Sequence, residues 1–571
     1  MFSLFTSIPQ LWRKYPAFFI LTGVMMLAVL PGVTHLPPMD RDEARYMQAS
    51  RQMVETGDVI TIRFQDELRA KKPAGIYWMQ SASAWLFGKD APASYRLPSV
   101  IGGFGIILIT FMMARRMMPP MQATFAAAFM GLSLITAAEA RLAKTDAMLC
   151  LLIMVQQYAL WMITTLDRQG KYVSGRYALM LWVSLALGIL VKGPIAPAVL
   201  VLTMLGVILL ERRWQWVLAT RPLMGLVVVT LLVLPWVLLV TAATNGAFLD
   251  IAIKGDFINK LQSGQESHGM PFGTHLIFLL IIFWPGSLIL ARAIPGIWAH
   301  RKSPTTRFLL AWIIPFWVMI ELTPTKLPHY GMPVLPAIAL LIAFFGLPAK
   351  PPVPPRIRTY SDQSSAAFGW HLIKTLFSPP VLIIIYEYLV LVLGVVLGMV
   401  IFISASLYGG SLIWGALAFM LATGCSVLGW LWRRRASRPV YLAAMLISAA
   451  GFHAVTFGAV LPGMDDLHLA PRIKAELASK NLLDHQIAIA GYHEPSLVFA
   501  LGQDVLLFTP DQAAVFLAEA EGNIAIIEDR SAPLFLDILG DLNISIIQHG
   551  AIEGYNYSRG KPVRLLIYTR Q

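Results

Sequence analysis

The stretch MDRDEARYMQASRQM, residues 39–53, places two aspartates, one glutamate and three arginines directly after a long apolar run. A carboxylate can take a proton from a hydroxyl group, and an arginine can bind a phosphate through two parallel hydrogen bonds. The pattern predicts a helix over 42–56 with Asp42 in its first turn, where the helix dipole favours a negative charge. Asp42 is therefore the first candidate catalytic residue, with Glu43 and Arg45 beside it. The alternative is an ordinary helix start whose charges are solvated.

Basic and aromatic residues recur in connections that lie far apart in the sequence. The stretches RAKKPAGIYW, LVKGPIAP and PTKLPHYGMPVLP contain the further candidates Lys71, Lys72, Lys192, Lys326, His329 and Tyr330. A charge at the end of a membrane span is costly unless it is paired. Cations that converge from distant connections therefore indicate an anion, most simply a phosphate or pyrophosphate. Each cation taken alone could instead be a snorkelling anchor at the membrane surface.

Two more candidates are less specific. Asp146 follows ARLAKT and begins the next apolar run, so it is either a second catalytic carboxylate or a cap of the helix that follows. His268 lies in a predicted loop over 244–274. A lone histidine in a loop is more often a surface residue than a ligand, so His268 is only a possible site residue, as is His329.

The composition indicates what kind of protein must position these residues. Of 571 residues, 57% are hydrophobic and 13% are charged, whereas an ordinary soluble domain is about 45–50% apolar and about 25% charged. The net charge of +13 comes mostly from short Lys and Arg clusters between apolar runs. Such clusters are typical of membrane topology signals, so nucleic acid is not an expected partner and membrane lipids are.

Apolar runs predict a polytopic α-helical membrane protein. A span needs roughly 20 mostly apolar residues, and about thirteen runs qualify. If the N-terminus is cytoplasmic, every second connection carries the basic clusters that cytoplasmic loops favour. An odd number of spans then places the C-terminus outside the cytoplasm. The predicted spans are 16–34, 96–116, 120–138, 145–166, 176–191, 194–211, 222–243, 275–297, 306–322, 331–348, 380–404, 410–432 and 439–460.

Two domains are predicted. Residues 1–461 form the membrane domain, with extracytoplasmic loops over 35–95 and 244–274, and the first of these carries amphipathic helices over 42–56 and 74–88. Residues 462–571 alternate short strand-like and helix-like segments, which predicts a small α/β domain on the extracytoplasmic side.

Five of these stretches also carry a resemblance. DRDEARY, KKPAGIYW, ARLAKTDAML, LVKGP and TKLPHYGMPVLP, in this order over roughly residues 15–350, resemble the membrane glycosyltransferases of the GT-C superfamily. The nearest pattern is that of the protein mannosyltransferase and lipid A aminoarabinose transferase group. The resemblance implies that Asp42 is the catalytic carboxylate. It also implies that Arg45, Lys72 and Tyr330 contact a lipid phosphate and that His268 is the loop histidine of the aminoarabinose branch.

The sequence departs from this group at one position. The glutamate that precedes Lys-Pro in the group is Lys71 here, and in the aminoarabinose branch that glutamate and the loop histidine can hold a metal ion. A lysine ammonium has three donors and no acceptor, so it cannot ligate a metal. A divalent metal is therefore a doubtful cofactor for this chain, no metal-ligating residue is assigned, and Lys71 is expected to contact phosphate instead.

The resemblance implies an inverting glycosyltransferase that uses a polyprenyl-phosphate-linked sugar. The acceptor would be lipid A or lipopolysaccharide, another glycan, or a protein. The site would face the periplasm from a bacterial inner membrane. A protein O-mannosyltransferase or a lipopolysaccharide core glycosyltransferase fits nearly as well, and a non-catalytic assembly subunit stays open. A lipid or sugar transporter fits less well, because the charges lie at span ends rather than at mid-span and no two halves of the chain match.

Overall fold

A computed structural model describes residues 23, 26, 29–252, 269–348, 378–434 and 439–571. His268 and most of the predicted span over 16–34 lie outside these residues. Within the described part the first eighteen α-helices are α1 (Asp42–Thr56), α2 (Gly75–Phe87), α3 (Pro92–Ala114), α4 (Pro120–Gly131), α5 (Leu134–Glu139), α6 (Asp146–Arg168), α7 (Gly175–Lys192), α8 (Ile195–Glu211), α9 (Trp216–Ala219), α10 (Pro222–Ala243), α11 (Ala247–Asp250), α12 (Thr274–Ile282), α13 (Ser287–Ala299), α14 (Pro304–Leu322), α15 (Leu335–Leu341), α16 (Pro379–Leu407), α17 (Leu412–Arg434) and α18 (Pro439–Val455).

The predicted helical runs are confirmed from residue 92 onward. Nine helices of the described residues are long and apolar enough to cross a membrane, and the pair α12 and α13, bent by 118°, would make a tenth. Several of these helices begin at a proline. The first N–H groups of a helix have no partner within it, so the missing N–H of proline costs nothing there. The protein is thus a multi-pass membrane protein, and the exact number of spans stays a prediction.

Besides the bent pair α12 and α13, which covers the predicted span over 275–297, two predicted spans are interrupted. The span over 120–138 divides into α4 and α5, and Ser133 caps α5 by accepting a hydrogen bond from the N–H of Thr136. The span over 331–348 begins as a 3-10 helix, Pro328–Val334, continues as α15, and ends in a π-helical turn, Ile342–Gly346. Prolines within this segment remove backbone donors and prevent a regular helix.

The loop over 35–95 contains the two predicted helices, α1 and α2. They pack on each other through a hydrogen bond from Ser50 Oγ to Gln80 Oε1 of 2.8 Å and through the rings of Tyr46 and Tyr77. A small hairpin of strands β1 (Arg63–Phe64) and β2 (Glu67–Leu68) lies between them. The sequence analysis did not predict this hairpin.

Close backbone contacts connect this loop to the spans. A side chain at Gly75, the first residue of α2, would approach the carbonyl oxygen of Leu190 in α7 to 2.7 Å. A side chain at Gly102 of α3 would approach the backbone of Ala147 in α6 to 2.7 Å. Both positions therefore need glycine because no Cβ fits there. These contacts bring the ends of α6 and α7 close to the loop.

The small C-terminal α/β domain is also confirmed. Strands β4 (Leu506–Phe508), β3 (Ile487–Ala490) and β5 (Ile524–Glu528) are parallel, whereas β7 (Lys561–Arg570) pairs antiparallel with both β5 and β6 (Ile546–Asn556). The sheet order is therefore β4-β3-β5-β7-β6. The boundary at residue 461 and the side of the membrane stay predictions. Its elements are α19 (Leu469–Ser479), β3 (Ile487–Ala490), α20 (Pro495–Leu501), β4 (Leu506–Phe508), α21 (Pro510–Glu519), β5 (Ile524–Glu528), α22 (Ala532–Asp541), β6 (Ile546–Asn556) and β7 (Lys561–Arg570).

Candidate active site

Asp42 is the first residue of α1, as predicted, and follows an unusual turn. Its predecessor, Arg41, has φ 67° and ψ −98°, a backbone conformation that residues other than glycine rarely adopt. The Asp42 side chain is accessible to water although protein surrounds it on most sides. Its carboxylate therefore faces a recess of the protein rather than the open surface.

Two cations that sequence reasoning missed determine the charge state of Asp42. Burial raises the pKa of the Asp42 carboxyl, but the charges of Lys144 and Arg69 outweigh burial and hold that pKa below its usual range. Asp42 is therefore ionised at neutral pH. Lys144 forms an ion pair of 2.9 Å with Glu139 at the end of α5. Lys144 lies in the stretch ARLAKTDAML and Arg69 in RAKKPAGIYW, each close to a residue that was predicted as a candidate.

Arg69 is held between two tyrosines. Its Nε donates to the hydroxyl of Tyr77 at 3.0 Å, and its guanidinium lies 5.1 Å from the centre of the Tyr46 ring. Burial alone would lower the pKa of Arg69, but Tyr77, Tyr46 and Asp42 together raise it. Arg69 is a fixed positive charge that the packing of α1 on α2 holds near Asp42.

Asp146, the first residue of α6, meets two other candidates. Its Oδ1 lies 2.5 Å from Nζ of Lys192 at the end of α7 and 4.0 Å from Nε2 of His329. Asp146 also lies close enough to Asp42 for their charges to interact. Thr145 occupies the capping position of α6, and the Asp146 carboxylate pairs with Lys192 instead. Asp146 and His329, which are more than 180 positions apart in sequence, therefore lie close together here.

A cavity of about 190 Å³ opens beside this ion pair. Asp146, Lys192, Thr323, His329 and Tyr330 form its polar part, and apolar residues form the rest of its wall. Such a shape can accept a ligand with a charged head and an apolar tail. The apolar wall consists of Leu149, Pro194, Ile195, Ala198, Phe316, Met319, Ile320 and Pro333.

Tyr330 is positioned by aromatic neighbours. Its ring stacks on His275 of α12 at 6.3 Å with an interplanar angle of 19°, and His329 meets it edge-on at 5.1 Å. His275 is buried, and its Nδ1 lies 3.6 Å from Glu321. Neither His275 nor Glu321 was predicted as a site residue. His275 begins the apolar run over 275–297, and Glu321 lies near the end of the run over 306–322.

The predicted phosphate contact of Lys326 needs correction. Its ammonium is buried and donates to the carbonyl oxygens of Ile320 at 3.0 Å, of Thr323 at 2.7 Å and of Glu321. These are carbonyls at the end of α14, where a cation is favoured by the helix dipole. All three ammonium protons are engaged, so Lys326 caps this helix and does not line the cavity.

Glu43, a possible site residue, also has a structural role instead. Its carboxylate is buried and pairs with the buried guanidinium of Arg96 at 2.9 and 3.1 Å. It also accepts hydrogen bonds from the backbone N–H of Met39 at 2.8 Å and of Ala143 at 2.9 Å. Glu43 has no oxygen left for a substrate. It ties the turn before Asp42 to the connection that carries Lys144.

The remaining candidates lie at the rim. Arg45 is half-buried in α1, Lys71 is exposed, and Nζ of Lys72 donates to the carbonyl of Lys71 at 2.8 Å. Gly75 brings the turn that carries both lysines against the end of α7, where Lys192 lies. Their phosphate contacts stay predictions.

The described residues do not fit a metal site. No group of three His, Cys, Asp or Glu side chains within them could hold a metal ion. Of the two ligands that the family resemblance implies, the glutamate is replaced by Lys71, and the loop histidine, His268, lies outside the described residues. The charges of the site suit a different ligand. Lys144, Lys192 and Arg69 can neutralise an anion, while the ionised Asp42 can orient or deprotonate a hydroxyl group.

The overall fold is shared with a solved structure. The structure aligns with ArnT from Cupriavidus metallidurans, solved with bound undecaprenyl phosphate, at a TM-score of 0.70 and 20% identity over 97% of this chain and 98% of that chain. Residues 17–247 match the family model for dolichyl-phosphate-mannose-protein mannosyltransferases. The predicted resemblance to the protein mannosyltransferase and aminoarabinose transferase group is confirmed.

Two bacterial enzymes are among the proteins with similar sequences. The undecaprenyl phosphate-alpha-4-amino-4-deoxy-L-arabinose arabinosyl transferase of Edwardsiella ictaluri is 27% identical over 333 residues, 57% of this chain and 59% of the relative. The enzyme of the same name from Pectobacterium carotovorum is 29% identical over 332 residues, 57% of this chain and 58% of the relative. The chain thus matches less than two thirds of the length of these relatives.

Proposed function

We propose that this protein is a glycosyltransferase that moves a sugar from a polyprenyl-phosphate donor to lipid A or lipopolysaccharide, with inversion at the sugar's anomeric carbon. One observation carries the proposal. Two carboxylates and several cations from distant connections meet beside a cavity with a charged end and an apolar wall. The choice of donor is supported by the similar arabinosyl transferases of Edwardsiella and Pectobacterium, whose names specify a sugar linked to undecaprenyl phosphate.

The phosphate and the lipid chain of the donor would occupy different parts of the cavity. Its phosphate would lie at Lys192, His329 and Tyr330, and the first isoprene units would follow the apolar wall. Arg45, Lys71 and Lys72 would close the phosphate site from the loop. Binding this lipid phosphate orients the anomeric carbon toward the aqueous recess that Asp42 faces.

Transfer would make one bond and break one. The acceptor oxygen attacks the anomeric carbon from the face opposite the phosphate, and the bond from that carbon to the phosphate oxygen breaks. The leaving phosphate gains negative charge, which the fixed cations stabilise; one such donor typically contributes about 3–4 kcal/mol to the transition state. Asp42 takes the proton of an acceptor hydroxyl or orients it.

The active site would face the periplasm from a bacterial inner membrane. The alternation of basic connections supports this orientation. It puts the loop over 35–95, and with it Asp42, on the opposite side of the membrane from the N-terminus.

Asp42→Asn tests the catalytic assignment. The substitution should leave expression and thermal stability near wild type and remove transfer in a membrane assay with a polyprenyl-phosphate sugar, because Asp42 has no apolar packing role. The wild-type protein in the same membranes is the reference. Retention of most of the activity would contradict the assignment.

A protein O-mannosyltransferase is the second candidate, since the family model over residues 17–247 carries that description. Mass spectrometry of lipid A, other glycans and exported proteins from a deletion strain and its parent distinguishes the two. Loss of a sugar from lipid A supports the first proposal, and loss of hexose from exported proteins supports the second.

A further inference from the structure

The C-terminal α/β domain contacts the chain directly beside Asp42. The turn between β6 and β7 carries Tyr557 and Ser558. The backbone N–H of Asp40 donates to the Tyr557 hydroxyl, and the Arg41 guanidinium donates to the Ser558 carbonyl. The N–H of Ser496 in α20 donates to the Asp40 carboxylate at 2.9 Å. These contacts on residues 40 and 41 are called the clamp below.

The clamp holds a backbone that would not keep its shape unaided. Arg41 combines a positive φ with a side chain, and such a conformation persists only where the surroundings determine it. Both residues of the clamped pair are fixed from the C-terminal domain, one on each side of the peptide bond between them. Asp42 is the next residue, so the direction of its carboxylate depends on this turn.

The domain side of the clamp is itself rigid. Asn556, the last residue of β6, is buried and donates to Glu494 at 2.9 Å, and Arg559 donates through its N–H to the Asn556 side chain at 3.0 Å. The turn therefore has a defined shape before it reaches Tyr557 and Ser558. A rigid partner is what a positioning contact requires.

The domain also contacts the loop over 35–95 elsewhere. Arg51 of α1 donates to the carbonyl of Phe499 at 3.2 Å, and the Phe499 ring meets Tyr95 edge-on at 5.6 Å. The side-chain amide of Gln65 donates to the carbonyl of Val505 at 2.6 Å. These contacts hold the domain against α1, while the clamp contacts the turn before Asp42.

We propose that Tyr557 and Asp40 are positioning residues: through the clamp, the C-terminal domain orients Asp42 for transfer. The inference rests on the proposed function. The donor phosphate contacts proposed above come from other residues, so loss of the clamp should lower kcat and leave the donor KM unchanged. A misplacement of about 1 Å in a reacting group can cost about a hundredfold in rate, and we expect a loss of about ten- to a hundredfold.

The test compares two substitutions in the same hairpin of the full-length protein in nanodiscs. Tyr557→Phe removes the hydroxyl that accepts the hydrogen bond from the Asp40 N–H. Tyr555→Phe is the matched control, because Tyr555 contacts Tyr408 at the end of α16, with ring centres 5.1 Å apart. Hydrogen exchange of residues 39–46 reports the turn without any substrate. Steady-state transfer from a polyprenyl-phosphate sugar gives kcat and donor KM.

Faster exchange over residues 39–46 and a lower kcat at constant donor KM, for Tyr557→Phe only, support the inference. Equal behaviour of the two variants overturns it, as does faster exchange with an unchanged kcat or a change in donor KM alone. Asp40→Ala should repeat the defect, whereas Asp40→Asn, which keeps an oxygen for the Ser496 N–H, should not. Asp42→Asn in the same assay separates the two proposals: if it retains transfer, the proposed role of Asp42 fails, whereas the exchange result still judges the clamp.

Discussion

Glu43→Gln is expected to destabilise the protein although the adjacent Asp42→Asn does not. The Glu43 carboxylate accepts two hydrogen bonds from Arg96 and one each from the N–H groups of Met39 and Ala143. A glutamine keeps one acceptor oxygen and turns an NH₂ group toward the remaining donors. Arg96, which is fully buried, then lacks its counter-charge.

The expected loss follows from this geometry. Removing one partner of a buried ion pair typically costs about 3–5 kcal/mol, because the other charge stays buried and uncompensated. Arg96 also donates to carbonyl oxygens of Val33 at 2.9 Å and Leu36 at 2.7 Å. These contacts offset part of the loss but add no negative charge. The value should therefore fall inside that range rather than below it.

The measurement is the thermal unfolding midpoint of the purified, full-length protein in detergent. Glu43→Gln should lower the midpoint clearly, Asp42→Asn should not, and Glu43→Gln combined with Arg96→Met should lose less stability than the two single changes together. A midpoint for Glu43→Gln within about 1 °C of wild type would refute the reasoning, since a change of 1 kcal/mol already shifts the midpoint by several degrees in domains of ordinary size.

Three further predictions concern the metal, the membrane topology and pH. Transfer should survive EDTA, and Lys71→Glu should raise the donor KM because it sets a carboxylate against the donor phosphate; loss of activity with EDTA that zinc restores would contradict this. Reporters fused within 35–95 and after 571 should be active only outside the cytoplasm, and a C-terminal reporter active only inside would overturn the orientation. Burial raises the pKa of Asp40 from 3.8 to about 6, so the folded state binds this proton more tightly than the unfolded state. The associated stability is therefore present below pH 4 and is lost as pH rises to about 6. The difference amounts to at most about 3 kcal/mol, and Asp40→Asn should remove it from the pH profile of the unfolding midpoint.

The helices and the α/β domain could be predicted because their signals are local. An apolar run of span length and an alternation of strand-like and helix-like segments can each be read within a short window. The interruptions at residues 132–133 and before α15 were not predicted, since a continuous apolar run hides a break. The hairpin of β1 and β2 was missed because two-residue strands leave no periodic pattern.

The roles of single charged residues were harder to predict. Glu43 stands beside Asp42 in sequence, yet its partner Arg96 is 53 residues away, and nothing local distinguishes a buried carboxylate from a reactive one. Lys326 had a usable local signal, because a cation shortly after the end of α14 is well placed to cap that helix. Lys144 and Arg69 had no such local signal. They lie far from Asp42 in sequence, and only the fold shows that both lower the pKa of Asp42.

The order of strands in the C-terminal sheet has a consequence for biogenesis. Strand β7 lies between β5 and β6 in space but follows both in sequence. Until residues 561–570 have been synthesised and delivered to the same compartment, β5 has an open edge and β6 has no neighbour within the sheet, and such edges invite pairing with other chains. The hairpin tip that contacts residues 40 and 41 forms only when β7 is in place. The nascent protein would thus insert its spans while the turn at residues 40 and 41 still lacks these contacts, which form only after β7 has folded.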